Sequence, residues 1–429
     1  MKSILDLPLS LLHFLRRWSR RLSVRVALMG VLAIFTLSLT QLIDQYMPRD
    51  MVTFVGGASA DRLLNIIANA MLAVTTFSLT VMVSVYRSSS TQWTPRVHQL
   101  IMQDRVTQNT LAAFIGAYVF ALVAIIMREV GFYGADNTAV LFFATVLVLA
   151  FVVFSLIRWT LHLQTLGSLI DTTRQVENMT TDQFQQRLNT PCLGACPWIG
   201  DSPDGAWCIE ARTSGYVTLV EVDALQSVAQ KFDVQLYLEP GVGSFVFAKA
   251  AMVWVVGAPD DKDALADAVR DRIQMGDVRT YDQDPRFGLL VMSEIGSKAL
   301  SPGINDSGTA IDVLNRTARI LSMYRDEEGS DAAPRFDRLH ARALDPVDLI
   351  QDGFSMIARD GADVVEVQER LQCALAALTQ HPETGLADAA MDMARACLER
   401  AHGALDWEPD RVRVTAKAPK AIRKSYTLS

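Results

Sequence analysis

The first residues whose spacing could do chemistry are Asn65, Asn69, Thr76, Thr80, Ser84 and Arg87, six polar positions in one apolar stretch. At 100° per residue of helix they fall within an arc of roughly 100°, so they form a single stripe. Polar groups are costly against lipid, so such a face has to meet another helix or water. Lining a water-filled conduit is one reading, and hydrogen bonding between packed helices is the other. The stripe holds no acid, and its one charge, Arg87, stands at an end. A pore of this composition favours anions or discriminates weakly.

A second group lies in KALSPGINDSGTAIDVL at 298–314. Ser301-Pro302-Gly303 ends one helix, and Thr309 with Asp312 three residues later fits a capping box that opens the next. Asn305, Asp306 and Ser307 exceed what one cap needs. Together with Thr309 they are candidates for a ligand or subunit contact, beside the plainer reading as a capped connector. Asp306 would suit a cation or a basic partner better than an anion.

Cys192, Cys196 and Cys208 form the third group, and they cluster without a fourth thiol, a nearby His or a standard zinc spacing. They are weak metal candidates, and no metal or cofactor is expected. The histidines, His13, His98, His162, His340, His381 and His402, are dispersed. No GxSxG, HExxH or phosphate loop occurs, and GVGSF at 241–245 reads as a hairpin turn. Enzymatic chemistry is therefore disfavoured.

The elements that must position these residues begin in the membrane. The chain of 429 residues is 50% hydrophobic with mean hydropathy +0.19. Four runs, Val26 to Ile43, Leu63 to Tyr86, Leu111 to Met127 and Thr138 to Ile157, approach the ~20 apolar residues that cross a hydrocarbon core. Arginines before the first run and between the second and third put both termini in the cytoplasm. LLHFLRRWSRRL at 11–22 reads as an amphipathic helix on the inner leaflet. Thr94 and Pro95 in SSSTQWTPRVHQL open an interfacial helix at the inner end of the second run.

Charge divides the remainder. Residues 159–410 hold 21 basic and 40 acidic side chains, a net of −19, which argues against nucleic acid. A basic tail follows, read as a solvated end or a lipid contact. Thr190 to Ala206 marks a boundary, and SGYVTLVEVDALQSVAQKFDVQLYLEPGVGSFVFAKAAMVWVVG reads as strand, helix, strand and hairpin. From Asp261 the pattern is mostly helical, over 263–274, 287–300, 309–323, 346–359, 364–380 and 385–404.

TFSLTVMVSVYRSSSTQWTPRV at 76–97, DRVTQNTLAAFIGAYVFAL at 104–122, SGYVTLVEVDAL at 214–225 and DPRFGLLVMSEIGSKALSPGINDSGTA at 284–310 occur in this order. Over roughly residues 63 to 400 the chain thereby resembles the bacterial predicted membrane proteins of family DUF2254. The resemblance implies a membrane domain and a cytoplasmic domain, with no established activity.

The expected fold class is a four-helix transmembrane domain with a small mixed α/β module and a mostly helical C-terminal domain, both cytoplasmic. The expected divisions are an amphipathic helix at 1–22, the membrane domain at 23–158 and a helical connector at 159–190. An α/β module at 191–260, a helical domain at 261–405 and a basic tail at 406–429 complete them. The apolar runs imply an inner-membrane location with the lipid bilayer as partner, and the pore reading adds copies of itself as partners and ions or small solutes as cargo. A membrane-anchored sensor or scaffold is the alternative.

Overall fold

The computed structural model describes residues 57–130, 139–328 and 333–426, with Val24, Ala27, Val31, Ile34, Phe35 and Ser38 as single positions. The chain divides into two compact units, Met1–Thr91 with Pro95–Asp171, and Gln92–Thr94 with Thr172–Ser429. The expected amphipathic helix at 11–22 and, single positions apart, the first expected span at 26–43 lie outside the described residues.

In the first unit, α1 is Gly57–Gln92, α2 is Pro95–Met102, α3 is Arg105–Glu129 and α4 is Ala139–Leu163. Among the described residues three helices are long and apolar enough to cross a membrane: Ser59–Gln92, Pro95–Glu129 and Leu141–Leu163. The last two expected spans grow longer at one or both ends. α3 starts at Arg105 because Asp104 caps it, accepting from the Thr107 backbone N–H at 2.7 Å. α2 starts at Pro95, where Thr94-Pro95 led one to expect it.

Leu64, Ile67, Ala68 and Met71 of α1 share one apolar core with Phe114, Ala117, Phe120, Ala121 and Ala124 of α3 and Leu141, Val152 and Trp159 of α4. α3 is the most enclosed, since its small residues, Ala112, Ala113, Gly116, Ala117, Ala121 and Ala124, admit neighbouring backbones closely. α4 turns Phe143, Leu147, Phe154, Ile157 and Leu161 outward.

In the second unit, α5 (Leu169–Asn189) leads through a 3-10 turn at Pro191–Gly194 into β1 (Ala195–Pro197). There follow β2 (Trp207–Glu210), β3 (Gly215–Val220), α6 (Val222–Lys231), β4 (Gln235–Leu238), β5 (Phe245–Val246) and β6 (Ala251–Val256). Next come α7 (Lys262–Arg270), β7 (Ile273–Gly276), α8 (Pro285–Ala299), α9 (Ser307–Leu321) and β8 (Phe336–Ala341). The chain closes with α10 (Pro346–Asp360), α11 (Val365–Leu378), α12 (Thr384–Ala404), α13 (Glu408–Thr415) and α14 (Lys420–Tyr426).

One sheet has the order β1-β8-β4-β6-β2, with β8 parallel to both β1 and β4 and the other pairs antiparallel. The other is β5-β3-β7, antiparallel throughout. Leu225 and Ala229 of α6 and Leu265 and Val269 of α7 join Leu236, Val253, Val255 and Leu339 of the strands in one core.

The α/β module expected over 191–260 thus draws two strands from the stretch expected to be helical. β8 enters the larger sheet between β1 and β4 from position 336, and β7 occupies what had the pattern of a helix end at 273–274. Ile273 and Met275 alternate and pair with β3, which outweighs the continuing helical period. The basic tail also folds. Val414 and Ala418 are fully buried and Ile422 nearly so, and Arg413 pairs with Glu369 of α11 at 3.0 Å.

Candidate functional site

α1 sorts its residues by side. Leu64, Ile67, Ala68, Met71, Ser78 and Ser89 are buried, whereas Asn65, Asn69, Thr76, Thr80, Ser84 and Arg87 are all exposed. On a helical wheel the two sets lie on opposite faces. The stripe is therefore brought together on the outward side of the unit. Among the described residues no hydrogen bond to another helix accounts for it.

Local bonds satisfy part of the stripe. Thr76 Oγ1 donates to the Leu72 carbonyl at 2.9 Å, and Thr80 Oγ1 donates to the Thr76 carbonyl at 3.0 Å. Asn65 Nδ2 donates to the Asp61 carbonyl at 2.9 Å, and the Asn69 amide has no such bond among the described residues. Asp61, Arg62, Asn65, Ile66, Asn69 and Ala70 line an open groove of about 610 Å³ along the first turns of α1. Asp61 is spoken for, because its carboxylate pairs with Arg128 of α3 at 2.9 Å. Arg62 is exposed on the stripe side, unpaired among the described residues, and sequence reasoning passed it over.

The other end of α1 carries a tied corner. Ser89 Oγ lies 2.7 Å from His98 Nδ1 on α2, and Tyr86 OH donates to the Met102 carbonyl at 3.4 Å. Asp104 Oδ2 accepts from Thr107 Oγ1 at 2.7 Å and lies 2.8 Å from His162 Nε2 on α4. The Asp104-x-x-Thr107 spacing is a readable helix start. Its partner His162, 58 residues away, carries no local signal.

The loop at 298–314 is a connector between α8 and α9. Asn305 takes the left-handed conformation (φ 51°), and Asp306 caps α9 by accepting from the Thr309 N–H at 3.0 Å and from its hydroxyl. These bonds from Thr309 hold the Asp306 carboxyl below its ordinary range. The capping residue is thus Asp306 and not Thr309, and Ser307 opens the helix. Asp312 instead pairs with Arg316 at 2.6 Å, one turn on, so it takes no part in a capping box.

The three cysteines are not brought together. Cys196 on β1 and Cys208 on β2 stand at opposite edges of the larger sheet. Burial, with the Glu327 carboxylate adding to it, pushes the Cys192 thiol up to about 12, and burial also raises Cys196 and Cys208.

A second cleft, of about 590 Å³, lies among Gln185, Asn189, Tyr324, Arg325, His381 and Glu383. His381 Nδ1 accepts from the Glu383 N–H at 3.1 Å, so its proton sits on Nε2, 3.3 Å from the Ser322 carbonyl. Burial and the carboxylates of Asp326 and Glu327 push the Tyr324 hydroxyl above its ordinary range. The Tyr324 hydroxyl is therefore not set up as a base at neutral pH.

Residues 19–377 match the predicted membrane protein family DUF2254. The chain belongs to that family. Its DUF2254 relatives include the uncharacterized proteins Mb1321c of Mycobacterium bovis and Rv1290c of Mycobacterium tuberculosis, each 28% identical over 296 residues. The match covers 64% of this chain and 54% of each relative, so the chain spans about half the length of the curated relatives it matches. No solved structure matches. In this DUF2254 protein the four quoted motifs fall on α1 with α2, on the Asp104 cap with α3, on β3 with α6, and on α8 with the Asp306 corner.

Proposed function

We propose that this DUF2254 protein assembles in the membrane from several copies, each turning the polar face of α1 toward a shared aqueous path for ions or small solutes. The observation that carries the reading is the outward position of Asn65, Asn69, Thr76, Thr80, Ser84 and Arg87, opposite the packed face of α1. A side chain amide facing hydrocarbon costs more than one facing water or another protein surface. One copy, with so few apolar helices, cannot enclose a path and shield it from lipid, so the copies have to supply the wall together.

In this reading four spans cross the inner membrane of a bacterium, with both termini and the second unit in the cytoplasm. The arginine-rich flanks of the first span, and Arg87, Arg96 and Arg105 between the second and third, support that orientation. The acidic second unit would then modulate the path from the cytoplasmic side.

A membrane-anchored sensor or scaffold is the second reading. It is favoured by the bonds of Thr76 and Thr80 to their own backbone, which let those hydroxyls sit in lipid at low cost.

Oligomeric state separates the two. Oxidative cross-linking of Thr80→Cys in native membranes, read against the parent chain, should give a product of two or more chains, and Leu147→Cys on the outward side of α4 should not. A Thr80→Cys chain that stays monomeric, or that bonds to a cysteine placed within 26–43 of the same chain, would contradict the shared path.

A further inference from the structure

We infer that the path formed by the α1 faces carries small inorganic anions of the chloride or nitrate kind, an inference that rests on the shared-path reading above. The sequence shows one charge on the stripe, and the structure adds a second at the other end. Arg62 and Arg87 are both exposed, and neither has an ion-pair partner among the described residues. On the wheel they lie about 20° apart, inside the arc of the stripe. Twenty-five residues of helix separate them by about 37 Å, comparable with a hydrocarbon core of about 30 Å, so one guanidinium stands at each mouth.

Among the described residues, the acids near Arg62 do not cancel them. Asp61 adjoins the stripe, but Arg128 neutralises it at 2.9 Å. Glu129 stands on α3, whose core residues pack against the opposite side of α1 from the stripe. In an assembly each mouth would gain one guanidinium per copy, and such rings concentrate anions and repel cations through local potential. The middle of the path does not itself favour anions. Thr76 and Thr80 spend their hydroxyl protons on backbone carbonyls, which leaves their acceptor lone pairs toward the lumen. Selection therefore belongs to the two arginine rings.

The test uses the full chain in vesicles and planar bilayers under a tenfold potassium chloride gradient. The parent protein should reverse on the chloride side of zero. Arg62→Gln with Arg87→Gln should reduce the chloride-to-potassium permeability ratio several-fold, while Arg158→Gln, an exposed arginine on α4, should leave the ratio unchanged. A conducting parent that prefers potassium, or a chloride preference that survives loss of both arginines, overturns the inference while the shared path stands. A parent that assembles and passes no ion removes the shared path, and the inference with it.

Discussion

Asp104 Oδ2 and His162 Nε2 lie 2.8 Å apart, joining the cap of α3 to the last turn of α4 across 58 residues of chain. The same carboxylate oxygen holds the first turn of α3 through the Thr107 N–H and hydroxyl. One side chain thus fixes both a helix start and a helix pair. Asp104→Ala should lower stability by about 1–2 kcal/mol, the usual range for a lost N-cap. Thermal unfolding of the detergent-solubilised chain measures this. His162→Gln should cost less, because it leaves the cap in place, and equal losses for the two variants would mean that the cap contributes nothing of its own.

In the second unit, Arg187 and Glu327 form a two-pronged pair at 2.7 and 2.8 Å, and Glu327, 1% exposed, also accepts from the Cys192 N–H. Glu327→Ala would leave the buried Cys192 amide without its acceptor and the buried Arg187 guanidinium with only the Arg342 carbonyl, at 2.9 Å. The expected cost is about 3–5 kcal/mol, as for other buried pairs broken on one side. Limited proteolysis near 187–195 should speed up sharply, and resistance equal to the parent would count against the pair as the lock of that corner.

Asp306 predicts a pH dependence with a definite sign. Its folded carboxyl is held below the ordinary range by Thr309, so its contribution is full above the ordinary carboxylate range. That contribution is lost as pH falls through the depressed value. Asp306→Asn retains a cap but loses the charge at the start of α9, worth about 0.3–1 kcal/mol at neutral pH. The stability difference between parent and variant should shrink steadily on acidification. A difference that is constant with pH would mean that the charge contributes nothing.

The shared-path reading predicts a sensitivity to bulk. Thr76→Leu or Thr80→Leu should narrow and dehydrate it, reducing flux in reconstituted vesicles while assembly persists, since Leu is favourable in a membrane helix. Thr75 and Ser78 lie away from the stripe, Ser78 on the buried face, so substitution there should disturb packing before flux. The reverse order would favour packing as the role of the stripe.

Much of this arrangement is legible one residue at a time. The period of Asn65, Asn69, Thr76, Thr80 and Ser84 defines a face, Thr94-Pro95 announces α2, and the starts of α10, α11 and α12 fall within a residue of their expected places. What escapes such reading is long-range. Nothing near His162 announces Asp104, and nothing near 336–341 says that β8 will lie between β1 and β4. β7 is hidden because four residues are too few to display a period of two against a preceding helix. The tail misleads for another reason. Its basic charges dominate the composition, while Val414, Ala418 and Ile422, four residues apart, supply the buried side of a helical end.

Whether the polar face of α1 borders water is tested most directly by cysteine accessibility in the assembled protein. Asn69→Cys, Thr76→Cys, Thr80→Cys and Ser84→Cys, made one at a time in the full chain, would be treated in native membranes with a small charged thiol reagent. The shared path predicts that all four react, because a thiol needs water to ionise, and that Leu147→Cys and Phe154→Cys on the outward side of α4 do not. Stripe cysteines as inert as those two would contradict it.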